Sequence, residues 1–132
     1  MAVTYTPILG LAQPVTGTED GTWGDVVNNQ ITQLLEDAVA GYATQSVTSG
    51  DWTLTDTDGA TDTARVAILI TTGTPGTTRN IFAPKQSKIY VVINDCSDYS
   101  AVNISGGTSG SHTTGVQVAG GGGSAVVAWD SN

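Results

Sequence analysis

Basic residues are scarce: Arg65, Arg79, Lys85 and Lys88 stand scattered against 12 acids, leaving a formal charge of −8 over 132 residues. Neutralising phosphates needs clustered Lys and Arg, so nucleic acid is excluded as a partner. A basic helix lying on a membrane surface is excluded for the same reason. The single cysteine, Cys96, permits no internal disulfide framework. His112 is the only histidine, so any Ser-His-Asp triad must use it. It falls in a stretch rich in Gly, Ser and Thr, and no Gly-x-Ser-x-Gly elbow occurs, which favours a solvated loop histidine. No segment approaches the ~20 apolar residues needed to span a bilayer. The first ten residues lack the basic start and apolar stretch of a signal peptide, so a chain made soluble in a cytoplasm is expected. No lysine follows the glycine runs at 106–110 and 120–123, which leaves a phosphate cradle without its cation. Flexible hairpin loops are expected there instead.

Hydrophobic residues make up 39% of the chain, and runs at 64–70 and 89–93 are long enough to build the core of one domain. Residues 1–21 hold Pro7 and Pro14 and a loose alternation of Val3, Tyr5, Pro7, Leu9 and Leu11. Proline disfavours helix here, so an extended arm with one apolar side is expected, needing a surface to lie against. Residues 22–43 carry the one helical period, with Trp23, Val26, Val27, Ile31, Leu34, Leu35, Ala38, Val39 and Tyr42 at three- and four-residue intervals. Thr22 and Asp25 predict a capping box, and Gly41 a left-handed helix end. One amphipathic helix of about five turns follows.

From residue 44 to 132 the helical period disappears. Short β-branched runs at 45–49, 51–55, 64–71, 79–83, 87–94, 100–105, 114–118 and 124–129 alternate with turn-forming clusters. These predict a mainly β fold, an antiparallel β-sandwich or small barrel with the extended N-terminal arm and the one helix. Crossover helices are missing, which argues against a parallel sheet. The runs 64–71 and 87–94 are apolar at nearly every residue, which predicts central strands covered on both faces.

Few residues invite chemistry. Asp56, Asp58, Gly59 and Asp62 suggest a calcium loop, but the third ligand before the glycine and the bidentate Glu after it are missing, so a hairpin turn is expected. Asp95 and Asp98 beside Cys96 would raise its thiol pKa and leave a poor nucleophile. Trp23, Trp52 and Trp129 could stack on sugar rings, but packing is favoured, with Trp23 anchoring the helix to the sheet. A chain of this size leaves little room for a substrate cleft beside its core. No enzyme, cofactor or metal is expected.

The runs Tyr5-Thr6-Pro7, Leu9-Gly10-Leu11-Ala12-Gln13-Pro14-Val15-Thr16-Gly17 and Gly21-Thr22-Trp23-Gly24-Asp25-Val26-Val27-Asn28 resemble the amino-terminal signature of a group of tailed-bacteriophage virion proteins, commonly labelled tail-fibre or structural proteins. The likeness continues through residues 36–41, 88–94, 102–108, 114–118 and 126–132. Relatives usually turn before the last strand with a Pro, Asn or Asp-Gly-Lys type sequence, where this chain has Ala119 and four glycines. The resemblance implies a virion structural protein made in the host cytoplasm. The expected role is capsid decoration or cement, bound to the major capsid protein or other virion proteins through Tyr5, Ile8, Leu9, Leu11, Trp23, Val27 and Ile31. A homo-oligomer is expected, and a trimer would suit local threefold sites. The alternatives are a tail-fibre or tail-adaptor module, and a host-glycan binding domain.

Overall fold

Two strands open the chain, and the prolines explain their form: backbone that cannot enter a helix stays extended. The computed structural model describes residues 3–129, so residues 1–2 and 130–132 of the expected arm and β domain lie outside the described residues. Strand β1 (Val3–Tyr5) pairs antiparallel with β2 (Ala12–Pro14), Val3 facing Pro14 and Tyr5 facing Ala12. Between them Thr6 N–H donates to the Leu11 carbonyl at 2.9 Å, and Leu11 N–H donates to Thr6 Oγ1 at 2.9 Å. The arm is therefore locally extended but doubles back as a hairpin.

Helix α1 runs on continuously through an α-helical Trp23–Val27, a π-helical Asn28–Thr32 and an α-helical Gln33–Ala40. Its extent is close to the one the apolar period predicts; its ends are made differently. Thr22 makes no side-chain cap. Its hydroxyl donates instead to Glu19 Oε2 at 3.0 Å, so the capping box does not form. Gly41 is extended rather than left-handed, at φ −70° and ψ 153°. The reason for glycine there is space, since a Cβ would sit 2.7 Å from the Asp37 backbone.

Among the described residues nine further strands follow: β3 (Tyr42–Ser46), β4 (Trp52–Thr53), β5 (Ile68–Gly73), β6 (Arg79–Ala83), β7 (Lys88–Cys96), β8 (Val102–Thr108), β9 (Ser111–His112), β10 (Val116–Val118) and β11 (Gly123–Trp129). The protein is mainly β, 41% strand against 14% helix. One sheet has the order β11-β7-β5-β3, the other β10-β8-β6-β4 with β9 beside β8. From β3 to β8 the chain changes sheet at every connection, so each strand pairs with the strand two before it.

This threading corrects the antiparallel expectation. β3 with β5, β5 with β7, β4 with β6 and β6 with β8 are all parallel, while β10 on β8, β11 on β7 and β9 on β8, like the β1–β2 hairpin, are antiparallel. Parallel neighbours need a long crossover. A strand in the opposite sheet serves as that crossover here, which is why no helix is required. Neither sheet closes into a barrel. The loop at 56–62 is likewise no hairpin turn, because β4 and β5 belong to different sheets. The glycines at 120–123 carry the chain from one sheet to the other, with Gly121 and Gly122 at positive φ and their N–H groups donating to the Cys96 and Asn94 carbonyls.

Both sheets feed one core cluster, Leu69 and Val92 from the first and Trp52, Ile81, Val102 and Val118 from the second. Asn94 lies wholly buried among them. Its Nδ2 donates to the carbonyls of Ser100 and Val118, each at 2.9 Å, and its Oδ1 accepts from the Thr71 hydroxyl and the Cys96 N–H. Strands β5 and β7 are not covered on both faces: burial alternates along them, and Ile89 is 63% exposed. Helix α1 buries Val26 and Leu34 but leaves the outer face of that sheet partly open.

Candidate interaction surface

Arg65 holds the amino-terminal hairpin to the β domain, a role that scattered basic residues in a sequence do not announce. Its side chain is almost fully buried. The guanidinium donates to the carbonyls of Leu9, Thr57 and Ala60, the last at 2.7 Å, and faces Asp56 and Asp62, each at 3.7 Å. Gly59 N–H also donates to the Gly10 carbonyl at 3.0 Å. Gly10 has φ +58°, and a Cβ there would meet the Asp58 and Arg65 side chains at under 3.0 Å, so the hairpin tip presses directly on this hub. Burial raises the Asp62 carboxyl above its ordinary pKa, outweighing the Thr57 N–H and the Arg65 charge, which pull it down. Of the acids that suggested a calcium loop, Asp56 and Asp62 are thus committed to Arg65, to the Gln86 amide and to the Thr57 N–H.

The hairpin, helix and first sheet together bound an open apolar groove, lined by Leu9, Leu35, Ala38, Val39, Ile89 and Trp129. Leu35 is 49% exposed and Val39 74%. The strand registers extend this surface over the outer face of the sheet: Tyr42, Ile68, Val91 and Val126 align in one row across all four strands. Tyr42 and Val126 in that row are well exposed. Lys88 lines the groove too, where burial lowers its amine to about 8. Its Nζ donates to the Val66 carbonyl at 2.8 Å and lies 4.3 Å from the centre of the Tyr90 ring.

The seven residues expected to bind a partner do not converge. Leu9 joins the groove, while Ile8 stands exposed at the hairpin tip. Tyr5 donates its hydroxyl to Gln30 Oε1 at 3.3 Å, fixing β1 to the helix. Leu11, Val27 and Ile31 are half-buried. Trp23 is 62% exposed and borders a separate groove with Pro14, Val15 and Glu19, so it does not anchor the helix to the sheet. Leu35, Val39, Ile89 and Val126 belong to the exposed apolar surface although the periodic pattern assigned such residues to a core. The signal was present in α1: the eight apolar positions of the period that fall within it cover more than one helix face.

Elsewhere the side chains are structural. Trp52 is buried in the core and Trp129 lies 3.1 Å from where a Gly106 Cβ would be, so the three tryptophans form no shared platform. His112 is exposed, as expected, but lies in β9 rather than in a loop, with its ring centre 5.0 Å from that of Phe82. Cys96 ends β7 fully buried, and burial foremost, with Asp98 and Asp95, pushes its thiol up. A partly open cavity lined by Trp129, Tyr90 and Ile104 has about 170 Å³, below the ~300 Å³ at which ligand pockets usually begin; the open grooves at Leu35 and at Trp23 are larger, about 610 and 640 Å³. Among the described residues no three His, Cys, Asp or Glu side chains gather as metal ligands. No family model, curated protein or solved structure matches the chain.

Proposed function

We propose that the protein is a non-enzymatic structural subunit of a phage virion, a decoration protein that clamps neighbouring shell subunits through the groove between hairpin, helix and sheet. The observation that carries this reading is the contiguous apolar surface running from Leu9 through Leu35 and Val39 to Ile89, on a chain otherwise acidic. Surfaces of this kind mark sites of association, since exposed apolar area gains free energy only when something covers it. The resemblance of the amino-terminal motif to phage virion proteins supports a partner of that class, the major capsid protein or another virion protein. The two mixed sheets, sharing one core, are read as the layers of a sandwich that holds this surface rigid.

Because Arg65 makes the hairpin part of the domain, point changes test the role more cleanly than removal of the arm. Leu35→Lys with Val39→Lys places two charges on the exposed surface and leaves the buried Leu34 in place. A stained gel of purified particles is expected to show loss of this protein from the virion while the purified variant melts like the wild type. Normal incorporation of the variant overturns the clamping role. Wild-type copies in the hundreds identify a shell protein; six to a few tens identify a tail adaptor, in line with the usual label of the group that the amino-terminal motif resembles.

A further inference from the structure

The free edge of the first sheet is a second surface, adjoining the groove, which Ala128 and Trp129 of the edge strand also line. Strand β11 ends that sheet and reads Gly-Ser-Ala-Val-Val-Ala-Trp, with no charge and no proline. Natural sheets ordinarily protect such an edge with lysine, proline, a bulge or a covering segment, because its outward N–H and C=O groups will pair with any strand offered. The direction of those groups follows from the ladder. Val91 N–H donates to the Ala67 carbonyl, so the odd-numbered residues of β7 turn their backbone groups to β5 and the even-numbered ones to β11. Their partners Ala125, Val127 and Trp129 therefore bond to β7. Ser124, Val126 and Ala128 direct their N–H and C=O groups outward, and none of these groups has a backbone partner among the described residues. All three residues are exposed, Val126 at 72%.

We propose that β11 pairs with β11 of a second copy of this chain, across a twofold axis at Val126. In antiparallel pairing that register sets Val126 opposite Val126, and Ser124 opposite Ala128 on both sides of the axis. Each of these pairs exchanges both backbone hydrogen bonds, because these are the residues whose groups face outward. A second copy is the occupant the edge fits. The strand is complementary to itself in length and register, the small Ser124 and Ala128 leave room for the central valines, and no like charges are brought face to face despite the net −8. The apolar row of Tyr42, Ile68, Val91 and Val126 then continues through Val126 of the second copy, making one eight-stranded sheet. Leu35 and Val39 take no part in this pairing, although Ala128 belongs to both surfaces.

Sedimentation of the full chain from low micromolar to near-millimolar concentration tests the pairing. Twice 13.4 kDa is expected for the wild type. Val126→Pro removes one outward N–H and leaves the β7 ladder intact, and Val126→Lys sets like charges opposite each other; both are expected to be monomers with wild-type circular dichroism. Thr44→Lys, on the opposite edge strand β3, is expected to remain a dimer. In hydrogen exchange, the Ser124, Val126 and Ala128 amides are expected to exchange at least tenfold faster in Val126→Lys than in the wild type. A monomeric wild type at every concentration overturns the proposal, as does dimerisation of Val126→Lys. A ladder of ever larger masses, the signature of β11 pairing head-to-tail with β3, overturns it also.

Discussion

Asn94 shows how one polar side chain ties the two sheets together. It sits on β7, and its amide reaches Val118 in the other sheet and Ser100 in the connecting loop, while its oxygen serves Thr71 and Cys96. Asn94→Ala leaves several buried groups unpaired at once, and each such group costs ~1–3 kcal/mol. Urea unfolding is expected to show a loss of about 3–5 kcal/mol, not fully additive because the groups share one network. Thr71→Val, which removes a single hydroxyl from the same network, is expected to cost about 1 kcal/mol; equal losses would mean that Asn94 acts by filling volume. Neither Asn94 nor Arg65 was legible in the sequence. Asn94 reads as the last residue of the strand 87–94 with no sign of its buried network, and the Ala64-Arg65-Val66 stretch reads as strand when Arg65 is the buried hub of a loop. What distinguishes them is partners distant in sequence, such as Leu9 for Arg65, and local pattern carries nothing about those.

At the scale of the element, the helix was legible in extent and not in orientation. Its period predicted residues 22–43, and the helix spans Trp23 to Ala40, with Tyr42 already in β3. Adjacent leucines nevertheless have opposite fates, Leu34 fully buried and Leu35 49% exposed. The π-helical stretch inserts a residue just before them and rotates the following turns, so a wheel drawn at 3.6 residues per turn misplaces the apolar stripe. Leu34→Ala is expected to destabilise by about 2–5 kcal/mol and Leu35→Ala by about 0.5 kcal/mol in thermal or urea unfolding. Similar losses for both would mean that the helix packs on a different face. The strands were easier: β6 occupies the predicted 79–83, and β7, β8 and β11 depart from prediction by a few residues. Alternation of small, β-branched and polar residues marks where a strand lies. It does not mark the neighbour, so the parallel pairings stayed hidden.

For the molecule as a whole, pairing each strand with the one two before it makes nearly all sheet contacts non-local. The loop-closure entropy of each turn must be met before any ladder forms behind it, and proteins dominated by such contacts fold in milliseconds to seconds. Stopped-flow refolding followed by the fluorescence of the buried Trp52 is expected on the order of milliseconds to seconds; microsecond folding would contradict this topology. The same threading gives the two ends of the molecule different characters. At one end β10 and β11 reverse direction, and the four glycines between them close the coil. At the other, β3 and β4 form the first complete turn. A duplicated pair of strands inserted beside them would add one strand to each sheet without disturbing the closure. Since neighbouring strands lie ~4.8 Å apart, proteins built on this plan would come in discrete lengths, a ruler graduated in single strands.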